Sequence, residues 1–395
     1  MAKNKKQILE GSRAIALTIK NIAPAVVSAY PITPQTHIVE DLAQFKADGQ
    51  AKYEYVRAES EFAAASIVLG ASAGGVRTYS ATSSQGLLLM TEVLYNIAGL
   101  RLPIVITCAN RAVSSPINIW CDHGDVMAIR DAGWIQLFAV NGQEAIAQHL
   151  LAYKLAEKLK LPVMINVDGF ILTHSYEPVI IPRANLIRKY LPPYQPGKTE
   201  YLNPAAPQTF GAFFPPEYYM ETREALHEDL RAALSVIKKE YKNAQRIIGR
   251  EIIGAGDGLT EYYGPKNPAT ILVAMGSMVG TIRETIKTQK KVGVLNIKVY
   301  RPFPGKEIIK ALVRAKNIAV LEKAINLGQA GPLYSDLKAA LVCDGKAGAA
   351  RFNIKNYVVG LGGRDVTGKI IRNIITDVNR RNKKTGESEI KFIGK

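Results

Sequence analysis

The stretch AVVSAYPITPQT, residues 25–36, decides how this chain begins to fold. Its apolar run, Ala25 to Ala29, is typical of a buried strand and leads directly into two prolines that flank Thr33. Pro31 and Pro34 fix their own backbone angles and restrict the residues before them, so the strand ends abruptly and orients the Thr33 hydroxyl at its carboxyl end. In an alternative interpretation, Thr33 caps a helix whose first residue is Pro34.

The same succession of apolar run, loop and helical pattern repeats through residues 8–168. The runs show little polar alternation and are separated by helical periods, which indicates a parallel sheet covered on both faces. The predicted strands are Ala25–Ala29, Tyr53–Arg57, Val76–Ala81, Ile104–Cys108, Trp134–Val140 and Val163–Val167. Ligands of such sheets bind beyond the carboxyl ends of the strands, so the loops that follow these ends are the places to look for function.

A second, shorter α/β pattern follows. Its predicted strands are Ile271–Met275, Val292–Tyr300, Ile318–Leu321 and Tyr357–Val359. Between the two patterns lie a proline-rich crossing segment, 178–216, a mostly polar helix, roughly 217–248, and a glycine-rich linker, 254–258. The sequence therefore predicts an α/β protein with a first domain at 1–258 and a smaller second domain at 259–395.

Composition limits the class of protein. With 395 residues, of which 47% are apolar, the chain can bury a large core. No window approaches the roughly 20 apolar residues of a membrane span, and no secretion signal is visible, so we expect a cytoplasmic protein without a membrane partner. Cys108, Cys121 and Cys343 are too few for an iron–sulfur cluster, which usually takes four ligands, so any such centre must lie in a partner.

The formal charge of +17 includes Lys and Arg crowded at both ends, at 3–6 and 380–384. These tails lack interleaved aromatic residues and no nucleic-acid-binding module is visible, so we expect no nucleic-acid partner. Long-range attraction to an acidic protein partner fits the charge better.

Two carboxylates, Glu59 and Glu61, flank Ser60 where a predicted strand ends and an alanine-rich helix begins. A carboxylate in this place commonly complements the helix dipole. One that faces an apolar cleft can instead exchange protons near neutrality. The two residues can divide these roles between them.

An arginine and three residues of metal-ligand type follow the fourth predicted strand. Arg111 precedes a loop without charged residues, 112–120, so its guanidinium group needs an anion. The planar guanidinium matches the geometry of a carboxylate ligand. An internal salt bridge is the alternative. Asp122, His123 and Asp125 could suggest a metal, but they are close neighbours without a distant ligand set. We therefore expect no metal site in this chain, and expect structural roles for the histidines.

Taken together, these loop residues belong to a series of ordered motifs. The motifs are Tyr30–Pro34, Ser60–Glu61, Ser84–Met90, Asn110–Ala112, Asp122–His123, Asp168–Phe170, Val299–Pro304 and Gly360–Asp365. Their order resembles the 2-oxoacid:ferredoxin oxidoreductases, in particular the α subunit of the multi-subunit pyruvate:ferredoxin oxidoreductases. The resemblance covers nearly the whole chain.

The resemblance implies a thiamine diphosphate enzyme that decarboxylates pyruvate oxidatively to acetyl-CoA and CO2. The first domain would be of the thiamine-diphosphate-binding type and supply the pyrimidine half of the site, and the second would be similar to a transketolase C-terminal domain. A β subunit would supply the diphosphate and Mg half. Iron–sulfur clusters would lie on the β and δ subunits, a γ subunit would complete the complex, coenzyme A would be a co-substrate, and ferredoxin would accept the electrons.

The resemblance also implies roles for six residues. Glu61 would bond the pyrimidine ring nitrogen and favour the imino tautomer that removes the C2 proton, and Pro31 would contact the cofactor. Arg111 would hold the substrate carboxylate, Thr33 would hydrogen-bond it, and Ile119 would line the pocket. Glu59 would keep the helix-dipole role.

Several functional alternatives stay open at this point. A relative that acts on oxalate has Arg in place of Thr33, so a neutral Thr favours a monoanionic 2-oxoacid such as pyruvate. The alternatives are the α subunit of a branched-chain 2-oxoacid:ferredoxin oxidoreductase, a non-oxidative decarboxylase or transketolase-like enzyme, and a non-catalytic scaffold subunit.

Overall fold

A computed structural model describes residues 5–343, 352–380 and 390–394. Its strands are β1 Gln7–Glu10, β2 Val26–Ala29, β3 Glu54–Arg57, β4 Thr78–Thr82, β5 Val105–Asn110, β6 Ile135–Phe138, β7 Val163–Asp168, β8 Tyr176–Val179, β9 Thr260–Tyr263, β10 Thr270–Ala274, β11 Val292–Ile297, β12 Val299–Arg301, β13 Asn317–Glu322, β14 Asn353–Val359 and β15 Ile390–Ile393. Most of the basic tails, Lys3 and residues 381–384, lie outside the described residues.

Helices connect most of these strands. They are α1 Gly11–Ile22, α2 Thr36–Ala47, α3 Glu61–Ala73, α4 Ser84–Leu89, α5 Thr91–Gly99, α6 Gly124–Ala128, α7 Gly142–Leu159, α8 Ala184–Tyr190, α9 Pro216–Ile247, α10 Arg250–Ile253, α11 Met278–Ile286, α12 Gly305–Leu312, α13 Pro332–Cys343 and α14 Gly368–Asn379. None of the helices among the described residues is both long and apolar enough to cross a bilayer.

The first sheet has the strand order β12-β6-β7-β5-β4-β2-β3. The strands β2 to β7 pair in parallel, so their carboxyl ends share one edge, where Ala29 is opposite Arg57 and Asn110 is opposite Asp168. All of β4, β5 and β7 is buried, which agrees with apolar runs that lack alternation. The predicted α/β class with a parallel sheet is confirmed.

The second sheet has the order β15-β14-β13-β10-β11-β9, with β9 antiparallel to β11 and the other pairs parallel. Side chains from both sheets share one buried cluster that includes Phe138, Met164, Leu295 and Ile318. A continuous apolar core therefore holds the second sheet against the first.

The prediction of one long strand over Val292–Tyr300 is wrong. The chain leaves the second sheet after Ile297, and β12 pairs antiparallel with β6 at the edge of the first sheet. Lys298 lies at this crossing, buried, with its Nζ 2.8 Å from Glu144 Oε1 and 2.7 Å from Glu261 Oε2. An apolar pattern cannot show that consecutive residues pair with different sheets.

The antiparallel pair of β1 and β8 was not predicted from the sequence. The strand β8 contains Pro178 and overlaps the start of the proline-rich segment, where the strand signal is weak. The pair closes over the amino-terminal end of α1, where Ser12 N donates to Thr173 O at 2.9 Å.

Candidate active site

The turn after β2 places Thr33 at the shared carboxyl edge. Buried Gln35 holds this turn, because its Nε2 donates to Ala81 O at 2.5 Å and its Oε1 accepts from Ile32 N at 3.3 Å. Helix α2 begins at Thr36 with no side-chain cap, so the interpretation of Thr33 as a helix cap is wrong. Among the described residues, nothing hydrogen-bonds the exposed Thr33 hydroxyl.

Helix α3 begins at Glu61, after Ser60 accepts a capping hydrogen bond from Ala63 N at 3.1 Å. Glu61 is only 7% exposed, yet its carboxylate forms no hydrogen bond with any described residue. Gly86 packs directly against it, since a Cβ at that position would lie 2.6 Å from Glu61 Oε1. Glu59 is exposed, so the two carboxylates do differ in environment.

The side chain of Arg111, which follows β5, is 8% exposed. Its Nη1 donates to Thr33 O at 2.7 Å and its Nη2 donates to Gln85 Oε1 at 3.0 Å, while Nε has no partner. Within the described part of the chain no carboxylate lies within ion-pair distance, so the alternative of an internal salt bridge is wrong. Burial lowers the pKa of Arg111, and the charges of Asp125 and Glu61 oppose that change; an arginine stays protonated all the same.

Asp125 links the residues on either side of the site. Fully buried, it accepts from the backbone N–H of Ser84 at 3.1 Å and of Arg111 at 3.0 Å through Oδ2, and from Asn110 Nδ2 at 3.0 Å through Oδ1. Burial raises the pKa of Asp125, and hydrogen bonds from Asn110, Arg111 and Ser84 oppose the shift. One carboxylate therefore fixes the Arg111 backbone and the start of helix α4, which carries Gln85. Sequence reasoning considered Asp125 only as a metal ligand.

The loop 112–120 closes over this edge. Ala112 N donates to Trp120 O at 3.0 Å, and Asn118 Nδ2 donates to Gly362 O at 3.1 Å. Trp120 packs on Phe170 with ring centroids 4.5 Å apart. Ile119 is 38% exposed on this loop.

The structure thus brings together three of the five predicted site residues, Thr33, Glu61 and Arg111. Gln85 contacts Arg111, its neighbour Gly86 packs on Glu61, and Arg111 contacts the Thr33 carbonyl. Ile119 and Pro31 are exposed, and their roles stay predictions. Neither Gln85 nor Asp125 was predicted as a site residue; the Ser84–Met90 motif contained the only signal for Gln85.

The side chains of Asp122, His123 and Asp125 do not point to a common position that a metal could occupy. Asp122 Oδ1 accepts from Gly124 N at 2.6 Å, Asp125 faces Ser84 and Arg111, and His123 Nε2 lies 2.8 Å from Asp168 Oδ1. Burial raises the pKa of Asp122 to about 6.

His123 belongs instead to a buried group at the junction of the two sheets, here called the junction cluster: Cys121, His123, Asp168, Ser277 and Lys323. Lys323 Nζ lies 2.6 Å from Asp168 Oδ2, 3.0 Å from Ser277 Oγ and 3.7 Å from Cys121 Sγ. Cys121, His123 and Asp168 have metal-type ligand atoms within 4.8 Å of one another, but the ammonium group already takes the place a cation would need. The junction cluster is an ion-pair network.

The site residues fit a heterocyclic cofactor and an anionic substrate. A buried carboxyl group without a hydrogen bond needs a polar partner, and a ring nitrogen of an aminopyrimidine can share a proton with it. A buried guanidinium with a free Nε and no counter-ion needs an anion. Both requirements meet at one edge of the first sheet.

Comparison with known families gives two matches. The model of the pyruvate flavodoxin/ferredoxin oxidoreductase thiamine diphosphate-binding domain matches residues 18–242, and that of the pyruvate:ferredoxin oxidoreductase core domain II matches residues 269–371.

Relatives align along nearly the whole chain. The pyruvate synthase subunit PorA of Methanosarcina barkeri is 43% identical over 386 residues, covering 96% of this chain and 94% of the relative. That of Methanocaldococcus jannaschii is 44% identical, covering 95% of each. The ketoisovalerate oxidoreductase subunit VorA of Pyrococcus horikoshii is 38% identical, covering 95% of this chain and 94% of the relative.

A solved structure shares the fold. The 2-oxoglutarate:ferredoxin oxidoreductase of Magnetococcus marinus, determined with 2-oxoglutarate, coenzyme A and succinyl-CoA bound, superposes with a TM-score of 0.69 at 22% identity. The superposition covers 94% of this chain and 65% of that one, so this chain spans about two thirds of the solved chain.

Proposed function

This chain belongs to the pyruvate:ferredoxin oxidoreductase family, and on that premise we propose that it supplies half of a thiamine diphosphate site that decarboxylates pyruvate oxidatively. A β subunit supplies the diphosphate and Mg half. Iron–sulfur clusters on the β and δ subunits carry electrons to ferredoxin, a γ subunit completes the complex, and coenzyme A takes the acetyl group. The family resemblance inferred from the ordered motifs is confirmed by the comparisons.

One observation carries this proposal: Arg111 is a buried cation that is held by neutral acceptors alone. The carbonyl of Thr33 and the amide oxygen of Gln85 orient the guanidinium without neutralising it. Burying a charge without a counter-ion is costly, so such a cation is kept where a ligand supplies the anion. The carboxylate of a 2-oxoacid is that anion.

The residues of this chain would orient two molecules. Thiamine diphosphate, when bound, supplies a carbon nucleophile and an electron sink. Glu61 would exchange a proton with the pyrimidine ring nitrogen, and the absence of a side chain at Gly86 leaves space for the carboxylate. Arg111 and the Thr33 hydroxyl hold the substrate carboxylate, and the charge-free loop 112–120 keeps water from it, which favours loss of CO2.

Pyruvate is favoured over branched-chain 2-oxoacids. A neutral Thr33 beside Arg111 matches any monoanionic 2-oxoacid, branched or not, so the preference for pyruvate rests on the relatives. The two PorA relatives are 43% and 44% identical, against 38% for the ketoisovalerate relative. We expect kcat/KM for pyruvate to exceed that for 2-oxoisovalerate in the purified complex; the opposite order would assign the branched-chain alternative.

The test is Glu61→Gln in the assembled complex, with Glu59→Gln as the matched control two residues away. We expect the first variant to lose pyruvate- and coenzyme A-dependent ferredoxin reduction by at least about 100-fold, because a neutral amide cannot exchange the proton, and the second to keep it. Brown iron–sulfur absorbance confirms assembly of both. Full activity of Glu61→Gln would support the scaffold alternative, and decarboxylation by this chain alone would support the non-oxidative one.

Ferredoxin docking is the part of this proposal that rests on charge. The formal charge of +17 would attract an acidic carrier over long range, and salt screens such attraction. We expect KM for ferredoxin to rise with ionic strength while KM for pyruvate changes little. Turnover independent of salt would contradict the electrostatic contribution.

A further inference from the structure

Three side chains with metal-type ligand atoms meet at the surface beside the site. Glu10 ends β1, His37 is the second residue of α2, and His174 lies in the turn between β7 and β8. Their ligand atoms all lie within 4.8 Å of one another, and His37 Nδ1 is 2.8 Å from Glu10 Oε1. The two imidazole centroids are 4.5 Å apart. Three elements distant in sequence thus bring together two imidazoles and one carboxylate.

The surrounding packing holds these side chains in place. Four rings stack in series, Trp120 on Phe170, Phe170 on His174 and His174 on His37, with centroids 4.5, 4.7 and 4.5 Å apart. His174 Nδ1 lies 2.7 Å from Thr173 Oγ1, which leaves its Nε2 as the free ligand atom. A fixed ring with one nitrogen bonded to oxygen and the other free is the usual state of a metal-ligating histidine.

We propose that Glu10, His37 and His174 bind a divalent transition-metal ion of the Zn²⁺ class. Two imidazoles and one carboxylate form a donor set that suits Zn²⁺ and its neighbours better than Mg²⁺ or Ca²⁺, which take oxygen ligands. The set also leaves a position open for water or another ligand. This proposal replaces the expectation, drawn from the sequence, that the chain has no metal site and that His174 is only structural.

The junction cluster shows why this surface group and not the buried one is a metal site. Cys121, His123 and Asp168 satisfy the same distance criterion, but Lys323 Nζ lies 2.6 Å from Asp168 and fills the position. Around the surface group, Asp41 adds a negative charge that interacts with both Glu10 and His37 and is paired with Arg13. No cation is inserted between the three ligands themselves among the described residues.

A bound ion would join three segments that surround the proposed active site. Strand β1, helix α2 after the Thr33 turn, and the Phe170–His174 turn that packs on Trp120 would share one centre. Binding would slow local opening of these segments. The effect is measurable without any cofactor or turnover.

Titration of the full-length chain with Zn²⁺ alone, after removal of metals by a chelator, tests the site. A Cys343→Ser background removes the exposed thiol as a competing ligand. We expect one equivalent to bind, and His174→Ala and His37→Ala each to weaken binding by at least about tenfold, since even outer partners of metal ligands are worth that much. His227→Ala, at an exposed histidine on α9, is the matched control and should bind like the parent.

Two further measurements separate ligand loss from misfolding. Glu10→Gln preserves the shape of the side chain and should weaken Zn²⁺ at least about tenfold with an unchanged circular dichroism spectrum. Zn²⁺ should slow amide hydrogen exchange at residues 170–174 in the parent and not in His174→Ala. No stoichiometric uptake by the parent, or equal affinity in the parent, His37→Ala and His174→Ala, would overturn the proposal.

Discussion

Two groups of buried charges lie beyond the carboxyl ends of strands, and they differ in how the charge is balanced. In the junction cluster the ammonium of Lys323 and the carboxylate of Asp168 are 2.6 Å apart, both 1% exposed. In the candidate active site Glu61 and Arg111 are also buried, yet neither forms an ion pair within the described residues. A buried charge with a partner is costly to unpair, and the charges without one are those that the proposed function assigns to ligands.

The pKa shifts of the buried residues show the same difference between the junction cluster and the candidate active site. Burial alone would raise the pKa of Asp168, but Lys323 and His123 hold that pKa far below its ordinary value. Burial alone would lower the pKa of Lys323, and Asp168 raises it instead. For Arg111 burial dominates, so its pKa is lowered. Both cations are buried, but only the one in the junction cluster gains more from its partners than burial costs.

Breaking the ion pair of Lys323 and Asp168 should cause the largest change, a loss of folding stability. Lys323→Met leaves the Asp168 carboxylate buried without its ammonium partner, and we expect the free energy of unfolding in denaturant to fall by about 3 to 5 kcal/mol. The control is Lys46→Met, which removes the exposed pair with Glu54 and should cost no more than about 1 kcal/mol. Equal losses of unfolding free energy in Lys323→Met and Lys46→Met would show that the buried ion pair stabilises the fold no more than an exposed one.

The next largest effect should come from Asp122, whose titration should make the free energy of unfolding depend on pH. The pKa of Asp122 is raised by burial from 3.8 to about 6 in the folded chain, so between these values the native state binds more protons than the unfolded state. Its contribution to stability is present below about pH 4 and is lost as pH rises to about 6, by up to about 3 kcal/mol. Asp122→Asn should remove this slope from the unfolding free energy, whereas Asp48→Asn, at an exposed carboxylate, should keep it. An unchanged slope in Asp122→Asn would show that Asp122 is ionised throughout.

The same contrast explains what sequence reasoning could and could not predict. Thr33, Glu61 and Arg111 each follow an apolar run, so the strand pattern alone placed them at one edge of a sheet. Asp125 was missed, because its importance depends on contacts with Ser84 and Arg111, which lie 41 and 14 residues away. The partners in the junction cluster, Asp168 and Lys323, are 155 residues apart at the ends of strands that belong to different sheets, and nothing local to either predicts the pairing.

Changing the unbalanced cation should affect substrate binding and leave stability nearly unchanged. Arg111→Lys keeps the charge but replaces a planar fork, held by Thr33 and Gln85, with a flexible point charge. We expect KM for pyruvate to rise by about 100-fold in steady-state assays of the complex. Arg101→Lys, at an arginine paired with Asp229 on α9, is the control and should leave KM unchanged. An unchanged KM in Arg111→Lys would mean that the unbalanced charge serves some other ligand.

The smallest change is expected from loss of the Thr33 hydroxyl, the neutral group among the proposed substrate-binding residues. The Thr33 hydroxyl is exposed and unbonded within the described residues, and Arg111 contacts only the backbone carbonyl of Thr33. Thr33→Val therefore removes a hydrogen bond to the substrate without disturbing the arginine, and we expect KM for pyruvate to rise about tenfold, with kcat less affected. Thr36→Val, three residues along the chain, should have no effect on KM. If Thr33→Val also behaved like the parent, the substrate carboxylate would be held by charge alone, and the rigid turn between the two prolines would serve to orient Arg111 through its carbonyl.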